Sequence, residues 1–320
     1  MNISVLGCGR WGSFIGWYLN KIGHNVILWG REGSSHLMEI KSSRKNEYLH
    51  FEEKIKLTES ITQAINFADV IIVSISSQSL RNFLSSLTPK YELKNKAIVL
   101  CMKGIEESTG KRLSEVTKEC IPSAQKIAVW VGPGHVQDFA KGIPNCMVID
   151  SDDNNLKQFL SEKFSSPLIR FYYGSDMIGT EIGAAAKNVM GIAAGFLDGM
   201  HYESLKGALM SRGTHEIAKL IKAMGGNVFS AYGLAHLGDY QATLFSKYSN
   251  NRKYGESLVL GATCNKLAEG VKTSHALVNL SQKYGIEIPI CDAVYKAVNG
   301  IIPPKDAVAG LFLRKPKYEF

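Results

Sequence analysis

The segment Ile3-Ser4-Val5-Leu6-Gly7-Cys8-Gly9-Arg10-Trp11-Gly12 decides the fold class of this 320-residue chain. Its first four residues form a short, largely apolar run that predicts a buried strand, and three glycines with the spacing GxGxxG follow at once. Apolar residues then recur at helical spacing up to position 19, and residues 25–29 (Asn-Val-Ile-Leu-Trp) predict a second strand. The order strand, glycine turn, helix, strand is a βαβ unit, whose crossover makes the two strands parallel.

Each glycine of this turn has a separate physical role. Gly7 permits the tight turn, Gly9 lets the backbone approach a pyrophosphate, and Gly12 allows the helix to pack closely on the strand. The helix start also presents unpaired N–H groups and the positive end of its dipole to phosphate. Glycine turns can arise for steric reasons alone, but one that lies between a strand and a helix at the start of the chain predicts a dinucleotide site.

The cofactor preference depends on the end of the second strand, where the sequence is Trp29-Gly30-Arg31-Glu32. Enzymes that use NAD usually place a carboxylate there against the ribose 2′-hydroxyl, whereas enzymes that use NADP place an arginine against the 2′-phosphate. A glycine at the usual position of the acid, with Arg31 beside it, favours NADPH. Glu32 keeps NADH open as the alternative.

Further buried-strand patterns occur at residues 70–75, 97–101 and 127–131. Their alternation with helical segments predicts an α/β fold built on a doubly wound (Rossmann) parallel sheet. From about residue 171 onward helical periodicity replaces the strand patterns, so we expect a C-terminal all-helical domain. We place the dinucleotide-binding domain at residues 1–175 and the helical substrate-binding domain at residues 176–320.

The composition excludes several classes of protein. Hydrophobic residues make up 45% of the chain and charged residues 21%, as in a globular rather than a disordered protein. The six cysteines are scattered, without a CxxC pair or a cluster with histidine, so we expect no metal site, no disulfide scaffold and a reducing, cytoplasmic location. The residues after Met1 lack the pattern of a secretory signal, so we expect no export, and residues 182–197 are too short an apolar run to span a membrane.

The charge balance favours an anionic partner. Lysine and arginine together number 37 against 29 acidic residues, a formal net charge of +8, which suits a phosphorylated metabolite, a nucleotide or a nucleic acid. The cations are dispersed and no aromatic-interleaved recognition motif accompanies them, so we expect no nucleic-acid binding. These patterns do not fix the oligomeric state, and a homodimer is compatible with them.

Lys187 is the candidate catalytic residue of the second domain. It shares one face of a predicted helix with Gly183, Gly191 and Ala194. Such a stripe usually marks close helix packing, but a lysine inside a tight contact would be a buried, unpaired charge. Space for a ligand explains both features, and we therefore expect open space beside Lys187. Desolvation lowers the pKa of a lysine, which suits it to exchange a proton with a hydroxyl or carbonyl group.

Three further segments complete a predicted site for an anionic substrate. Asp239 and Thr243 are four residues apart and lie on the same side if their segment is helical. Residues 249–255 (Ser-Asn-Asn-Arg-Lys-Tyr-Gly) predict a short cationic loop able to grip phosphate. Lys103 directly follows the fourth predicted strand, at the carboxyl edge of the sheet where ligands bind.

A series of ordered motifs runs along the chain: the glycine turn and residues 26–31 (VILWGR), 102–106 (MKGIE), 132–133 (GP), 181–188 (EIGAAAKN), 233–239 (GLAHLGD), 268–271 (AEGV) and 288–295 (IPICDAVY). In these motifs, over almost its entire length, the chain resembles the NAD(P)-dependent glycerol-3-phosphate dehydrogenase family of bacterial type. Agreement of so many motifs in the same order is specific.

The resemblance implies reversible hydride transfer between NAD(P)H and dihydroxyacetone phosphate, which gives sn-glycerol 3-phosphate for phospholipid synthesis. It makes Lys187 the proton donor in reduction and the proton acceptor in oxidation. Lys103, Asp239 and Thr243 complete the implied catalytic set by positioning the substrate oxygens and Lys187. The implied cofactor contacts are Gly7, Gly9, Arg10, Trp11, Gly12, Arg31, Lys103, Val136, Arg252 and Glu269, and the implied substrate contacts are Lys103, Gly132, Gly134, Lys187, Asn188, Asp239, Ser249, Asn250 and Asn251.

Two positions depart from the family pattern. The family normally has an arginine that grips the substrate phosphate where this chain has Asn250, and a small hydroxyl residue, Phe and Ala where it has Gly134, His135 and Val136. Arg252 is a candidate replacement for the missing phosphate clamp. Two alternatives follow from these departures: a reductase of a different phosphorylated or acidic hydroxyketone, such as a ketopantoate-reductase-like enzyme, or a cofactor-binding sensor that has lost turnover.

Overall fold

A computed structural model describes residues 1–264 and 268–319 of the chain. The chain divides into two compact units. The sheet unit comprises Met1–Lys103 and Arg112–Met177, and the helical unit comprises Gly104–Lys111 and the chain from Ile178 onward. The short segment Gly104–Lys111 thus belongs with the helical unit, although it lies inside the sequence span that we assigned to the first domain.

An eight-stranded sheet forms the centre of the sheet unit. Its spatial order is β3-β2-β1-β4-β5-β6-β7-β8, and all neighbouring strands are parallel except the antiparallel pair β6 and β7. The first six positions follow the strand order of the Rossmann fold, so the predicted doubly wound α/β class is confirmed. The strands are β1 (Asn2–Leu6), β2 (Asn25–Trp29), β3 (Lys56–Thr58), β4 (Val70–Val73), β5 (Ala97–Leu100), β6 (Ile127–Val131), β7 (Asn145–Asp150) and β8 (Ile169–Tyr173).

Buried runs of apolar residues form the inner strands because helices cover both faces of the sheet. On β4, Val70 and Ile72 pack into one core cluster, whereas Ile71 and Val73 pack into the cluster on the opposite face. The helices of this unit are α1 (Arg10–Lys21), α2 (Ser35–Ser43), α3 (Ile61–Phe67), α4 (Leu80–Leu87), α5 (Leu113–Cys120), α6 (Val136–Ala140) and α7 (Asn154–Phe164).

The helical unit has its own core and contains no strand among its described residues. The expected all-helical second domain is therefore confirmed for that part of the chain. Its helices are α8 (Met177–Gly199), α9 (Lys206–Ala223), α10 (Asn250–Leu260), α11 (Glu269–Tyr284), α12 (Pro289–Val298) and α13 (Pro304–Phe312). Between α9 and α10 the chain forms short 3-10 turns and one turn of π-helix, Gln241–Phe245. In the described ranges, no helix combines the length and the apolar content that crossing a membrane requires.

Candidate active site

The glycine turn between β1 and α1 has the three roles expected of it. Gly7 has a φ of +119°, and a Cβ atom there would lie 2.1 Å from the carbonyl oxygen of Ser74, which follows β4. A Cβ atom at Gly12 would lie 1.9 Å from the carbonyl oxygen of Gly7. At Gly9, by contrast, a Cβ atom would meet no described atom within 4 Å. Gly7 and Gly12 are therefore fixed by the fold, whereas the space beside Gly9 is open.

The start of α1 suits a pyrophosphate. Gly9 is the N-cap residue and supplies no side-chain hydrogen bond to the first turn, which also carries no acidic residue. The N–H groups and the positive dipole end are thus available to an anion. The indole Nε1 of Trp11, the second residue of α1, is buried without a hydrogen-bond partner among the described residues. A buried donor without a partner requires an acceptor, so the turn fits a dinucleotide.

Arg31 lies directly after β2, where a dinucleotide-binding sheet recognises the adenosine ribose. The residue before it is glycine for a packing reason, because a Cβ atom at Gly30 would lie 2.6 Å from Cys8 Sγ and 2.9 Å from Leu37 Cβ. Arg31 is exposed and makes no ion pair with any described residue. Its guanidinium is available to a 2′-phosphate.

Lys103 lies beyond the carboxyl end of β5 and joins it to the loop that follows β6. Its Nζ donates a hydrogen bond to the Gly132 carbonyl oxygen at 2.7 Å and lies 6.0 Å from the centroid of the Trp11 ring. Gly134 in the same loop has a φ of +151°, and a Cβ atom there would lie 2.3 Å from the Phe139 ring. The departure from the family pattern at Gly134 is therefore a consequence of local packing. Val136, the first residue of α6, is buried beside this loop.

In the helical unit, Lys187 on α8 is held by two side chains from the segment between α9 and α10. Its Nζ forms an ion pair with Asp239 Oδ2 at 3.2 Å and donates a hydrogen bond to Thr243 Oγ1 at 2.9 Å. The Lys187 side chain is 12% exposed and that of Asp239 only 1%. Thr243 in turn donates a hydrogen bond to the Asp239 carbonyl oxygen at 2.7 Å. The Lys187 side chain thus keeps a small exposed fraction, while its partners Asp239 and Thr243 are buried.

Asp239 and Thr243 lie on the same side, as predicted, but their segment is not an α-helix. Asp239 ends a 3-10 turn and Thr243 lies in the π-helical turn. Single π turns are rare and occur frequently at functional sites, because the extra residue per turn redirects side chains. The i, i+4 spacing thus correctly predicted that Asp239 and Thr243 lie on the same side, but the α-helix assumed for that prediction does not form there.

His236 supports this cluster, and sequence analysis did not assign it to the site. Its Nδ1 lies 2.8 Å from the Gly183 carbonyl oxygen of α8, and its Nε2 lies 2.7 Å from the hydroxyl oxygen of Tyr240. Burial lowers the pKa of His236 to about 4, so the imidazole is neutral at neutral pH. A neutral imidazole adds no second positive charge beside Lys187. Its hydrogen bond to Gly183 ties the segment that carries Asp239 to α8, and its hydrogen bond to Tyr240 lies within that segment.

The expectation of open space along the small-residue stripe of α8 is wrong. A Cβ atom would lie 2.9 Å from His236 Cβ at Gly183 and 2.8 Å from Thr243 Cγ2 at Gly191. These glycines admit neighbouring side chains at close range, which is the helix-packing alternative. The Lys187 charge does not conflict with such packing, because Asp239 supplies the countercharge.

The predicted cationic loop at residues 249–255 is also wrong, because these residues form the start of α10. Ser249 is its N-cap, and its Oγ accepts a hydrogen bond from the Arg252 backbone N–H at 3.3 Å. Asn250 is therefore the first residue of a helix. The Arg252 guanidinium pairs with Asp198 and donates a hydrogen bond to the Ser246 carbonyl oxygen at 3.2 Å, which directs it away from the role of a substituted phosphate clamp.

Asn251 connects three helices of this unit. Its Nδ2 donates a hydrogen bond to Asn188 Oδ1 at 3.0 Å, and its Oδ1 accepts one from the Gly270 N–H at 3.0 Å. Asn188 directly follows Lys187 on α8, and Glu269 is the first residue of α11. The helical unit thus brings together Lys187, Asn188, Asp239, Thr243 and Asn251. No group of three or more potential metal ligands occurs in the described part of the chain.

A doubly wound sheet with a phosphate-accepting glycine turn, together with a helical unit that buries a lysine against a carboxylate, defines the class of two-domain nicotinamide-dependent dehydrogenases. Residues 2–157 match the family model of the NAD-dependent glycerol-3-phosphate dehydrogenase N-terminus, and residues 176–309 match that of its C-terminus. The chain belongs to the NAD-dependent glycerol-3-phosphate dehydrogenase family.

Individual relatives agree with this assignment along the whole chain. Glycerol-3-phosphate dehydrogenase (NAD(P)+) of Pelodictyon phaeoclathratiforme is 33% identical over 333 residues, covering 100% of this chain and 99% of the relative. The enzyme of the same name from Fusobacterium nucleatum is 34% identical over 332 residues, covering 100% and 98%. The crystal structure of glycerol-3-phosphate dehydrogenase from Coxiella burnetii has a TM-score of 0.90 at 27% identity, covering 98% of each chain.

A ketopantoate reductase of Ralstonia eutropha has a TM-score of 0.63 at 15% identity, covering 96% of this chain and all of the other, and shares the fold alone. The full-length matches therefore confirm the family resemblance, the dehydrogenase class and the use of NAD or NADP. They do not favour the alternatives of a different hydroxyketone reductase or a sensor without turnover.

Proposed function

We propose that the protein catalyses the reversible NAD(P)H-dependent reduction of dihydroxyacetone phosphate to sn-glycerol 3-phosphate, which feeds phospholipid synthesis. The observation that carries the proposal is the Lys187 ammonium group, held 3.2 Å from Asp239 and 2.9 Å from Thr243 and still partly exposed. Family membership over both units supports the same substrate. A carbonyl reduction needs a proton donor of this kind at the carbonyl oxygen.

Lys187 acts on the oxygen of the reacting carbonyl. When bound, the nicotinamide cofactor supplies a hydride to the carbonyl carbon in reduction and accepts it in oxidation. Lys187 stabilises the negative charge that develops on the oxygen and transfers a proton from Nζ to it, and in oxidation it takes the hydroxyl proton back. Asp239 and Thr243 fix the direction of the ammonium, because both bond to its nitrogen and are themselves 1% exposed.

The remaining proposed substrate contacts are Lys103 with the glycine loop that it bonds, Gly132 to Gly134, and a set of neutral hydrogen-bonding side chains. That set comprises Asn188, Ser249, Asn250 and Asn251. With asparagine at 250 and Arg252 paired to Asp198, the substrate phosphate relies on these groups and on Lys103 rather than on an arginine clamp.

We propose that Gly9 and the first turn of α1 would hold the pyrophosphate of the cofactor. Arg31 is proposed to bind the 2′-phosphate, and the preferred cofactor is then NADPH rather than NADH. The support is an arginine without an ion-pair partner in the described chain, at the end of β2. Arg10, Trp11, Lys103, Val136, Arg252 and Glu269 are the further proposed contacts.

The cysteine chemistry supports a cytoplasmic location, which we also propose. All six cysteines carry free thiols, as expected for a reducing compartment. We retain a homodimer as part of the proposal, and sedimentation equilibrium should then give twice the mass of one chain.

The test of the function is cofactor oxidation by the purified protein with dihydroxyacetone phosphate and each nicotinamide. Lys187→Ala should lower kcat by roughly 10²–10⁴-fold, the range of a general acid, while cofactor affinity changes little. Lys157→Ala is the matched control, because Lys157 is also a buried lysine near a carboxylate, 3.7 Å from Asp150 Oδ1, but lies on α7. Wild-type turnover by Lys187→Ala would remove its assigned role, and turnover of another ketone far faster than dihydroxyacetone phosphate would overturn the substrate.

A further inference from the structure

The helical unit contains a cavity of about 1160 Å³ that none of the proposed catalytic residues lines. Its walls come from the end of α8, from α9, α12 and α13, and from the segment that follows α13. Small-molecule sites usually measure roughly 300–1,000 Å³, so this volume has ample room for a hydrocarbon chain with its head group. Small side chains leave this space open, because alanines from four helices line the cavity. These alanines are Ala193, Ala208, Ala223, Ala293 and Ala307.

The interior of the cavity is apolar. Phe196, Leu209, Ile290, Val294 and Leu311 are among its lining residues, and they belong to the core of the helical unit or pack against it. An apolar surface of this extent favours contact with hydrocarbon over contact with water. Apolar patches of this kind in a folded protein commonly mark binding sites.

The rim carries an excess of positive charge. The lining residues include six lysines and arginines but only three carboxylic acids. Arg314 and Lys317 share one oxygen of Glu287, at 2.8 and 2.9 Å. Lys219, Lys222 and Lys315 are exposed and form no ion pair within the described ranges. The rim therefore offers unneutralised ammonium groups next to an apolar interior.

Glu216, the buried carboxyl group of the wall, does not cancel this charge. Its two oxygens accept hydrogen bonds from the backbone N–H groups of Ile290 and Cys291, at 2.8 and 2.9 Å, where α12 begins. Burial raises its pKa to about 7, so near neutral pH it carries only part of a negative charge. That charge is already engaged by the start of α12.

We propose that this cavity binds a free amphipathic anion, with a single hydrocarbon chain among the alanines and a carboxylate or phosphate head on Lys219, Lys222 and Lys315. The inference goes beyond the proposed reaction and does not depend on it. A concave site receives one chain between its walls, whereas a membrane surface requires a protruding apolar face. A second copy of this chain is disfavoured as occupant, because a twofold contact would set the cationic rim against itself.

Isothermal titration calorimetry of the full chain with monomeric dodecyl phosphate tests the site. We expect saturable binding of one molecule per chain, at least about tenfold tighter than dodecyl maltoside, which has the same chain and an uncharged head. Inorganic phosphate alone should bind far more weakly than dodecyl phosphate. Equal binding of the two dodecyl compounds, or no saturable binding, would overturn the proposal.

Two variants locate the binding. The double charge reversal Lys219→Glu with Lys222→Glu should weaken binding of dodecyl phosphate at least about tenfold, with a loss that diminishes at high salt. The matched control is Lys94→Glu with Lys126→Glu, two exposed lysines of the sheet unit, and it should bind as the wild type does. Ala293→Phe should weaken binding, because its ring would occupy part of the apolar interior. Equal affinity of the charge-reversed variant and its control would contradict the site even if Ala293→Phe failed to fold.

Two other outcomes would assign the cavity to a different occupant and overturn the proposal. Sedimentation with anionic phosphatidylglycerol vesicles, without binding of monomeric dodecyl phosphate, would indicate a membrane surface. Self-association that the double charge reversal strengthens would indicate a second copy of the chain. Because the calorimetric readout is independent of turnover, failure of this proposal leaves the proposed reaction untouched.

Discussion

Gly9 and Gly12 lie three residues apart in the same turn, but substitution by alanine should impair a different property at each position. Gly9 has φ and ψ of −67° and −179°, which any residue adopts, and its Cβ atom would meet nothing within 4 Å. Gly12 would place its Cβ atom 1.9 Å from the Gly7 carbonyl oxygen. Gly9→Ala should therefore damage cofactor binding alone, whereas Gly12→Ala should damage the fold.

The contact distances set the magnitudes. Ordinary contact begins near 3.4 Å, so Gly12→Ala forces α1 away from the turn by about 1.5 Å, the difference from 1.9 Å. Overpacking of this kind costs ~1–3 kcal/mol. Gly9→Ala weakens the N-cap slightly, which lowers the free energy of unfolding. It also restricts the unfolded chain, which raises that free energy by ~0.4–1 kcal/mol, so the net effect on stability should be small. The added methyl group occupies the proposed pyrophosphate position and should weaken NADPH binding at least about tenfold.

The assays are urea unfolding without cofactor, followed by tryptophan fluorescence, and calorimetric titration with NADPH. Gly207→Ala is the control, because its Cβ atom also meets nothing within 4 Å but lies on α9, far along the sequence from the turn. It should match the wild type in both assays or be slightly more stable. If Gly9→Ala bound NADPH with wild-type affinity, or Gly12→Ala unfolded at the wild-type urea concentration, the assignment of these two glycines would be refuted.

Three further substitutions test other parts of the molecule. Arg31→Ala should weaken NADPH on the order of tenfold or more and leave NADH nearly unchanged, and titrations that show equal losses would contradict a 2′-phosphate contact. Glu216→Gln should flatten the pH dependence of unfolding. The pKa of Glu216 rises from 4.5 to about 7 on folding. Its protonated form therefore adds on the order of 3 kcal/mol to the free energy of unfolding below pH 4.5, and this contribution is lost as the pH rises towards 7. Urea titrations from acid to neutral pH that give parallel curves for the two proteins would contradict this. Asn250→Arg should lower the KM for dihydroxyacetone phosphate several-fold by adding a charge-assisted contact, and an unchanged KM would exclude position 250 from the phosphate site.

The sequence predicts the inner part of the sheet better than its margins. The strands β1, β2, β4, β5 and β6 are runs of apolar residues because helices bury them on both faces. β3 has only three residues, and β8 at the sheet edge alternates buried with exposed positions, so neither forms a continuous apolar run. A search for continuous apolar runs therefore passes over both. β7 is different, because its residues Met147 to Ile149 form a buried apolar run that was not recognised as a strand.

In the candidate site, some features are specified by a short stretch of sequence and others depend on residues far apart in the chain. The roles of Gly7 and Gly12 follow from backbone geometry that a short motif specifies. The placement of Asp239 beside Lys187 was expected only from the family resemblance, because the residues alone suggested space for a ligand instead of a countercharge. His236 is different, because its two partners come from α8 and from the following turn, and no spacing in the sequence encodes both. The helical state of residues 249–255 depended on recognising Ser249 as an N-cap within a polar segment.

The glycine stripe of α8 shows why packing and catalysis are not competing explanations for one pattern. Gly191 lies one helical turn after Lys187, and a side chain there would meet Thr243 Cγ2 at 2.8 Å and Asn251 Cβ at 3.2 Å. Any larger residue would therefore push away the threonine that bonds the lysine and the asparagine that bonds Asn188. The absence of a side chain at Gly191 lets two neighbouring segments reach the functional face of α8. Close packing is thus the means by which the fold positions Lys187, and the stripe serves the proposed reaction through contact rather than through empty space.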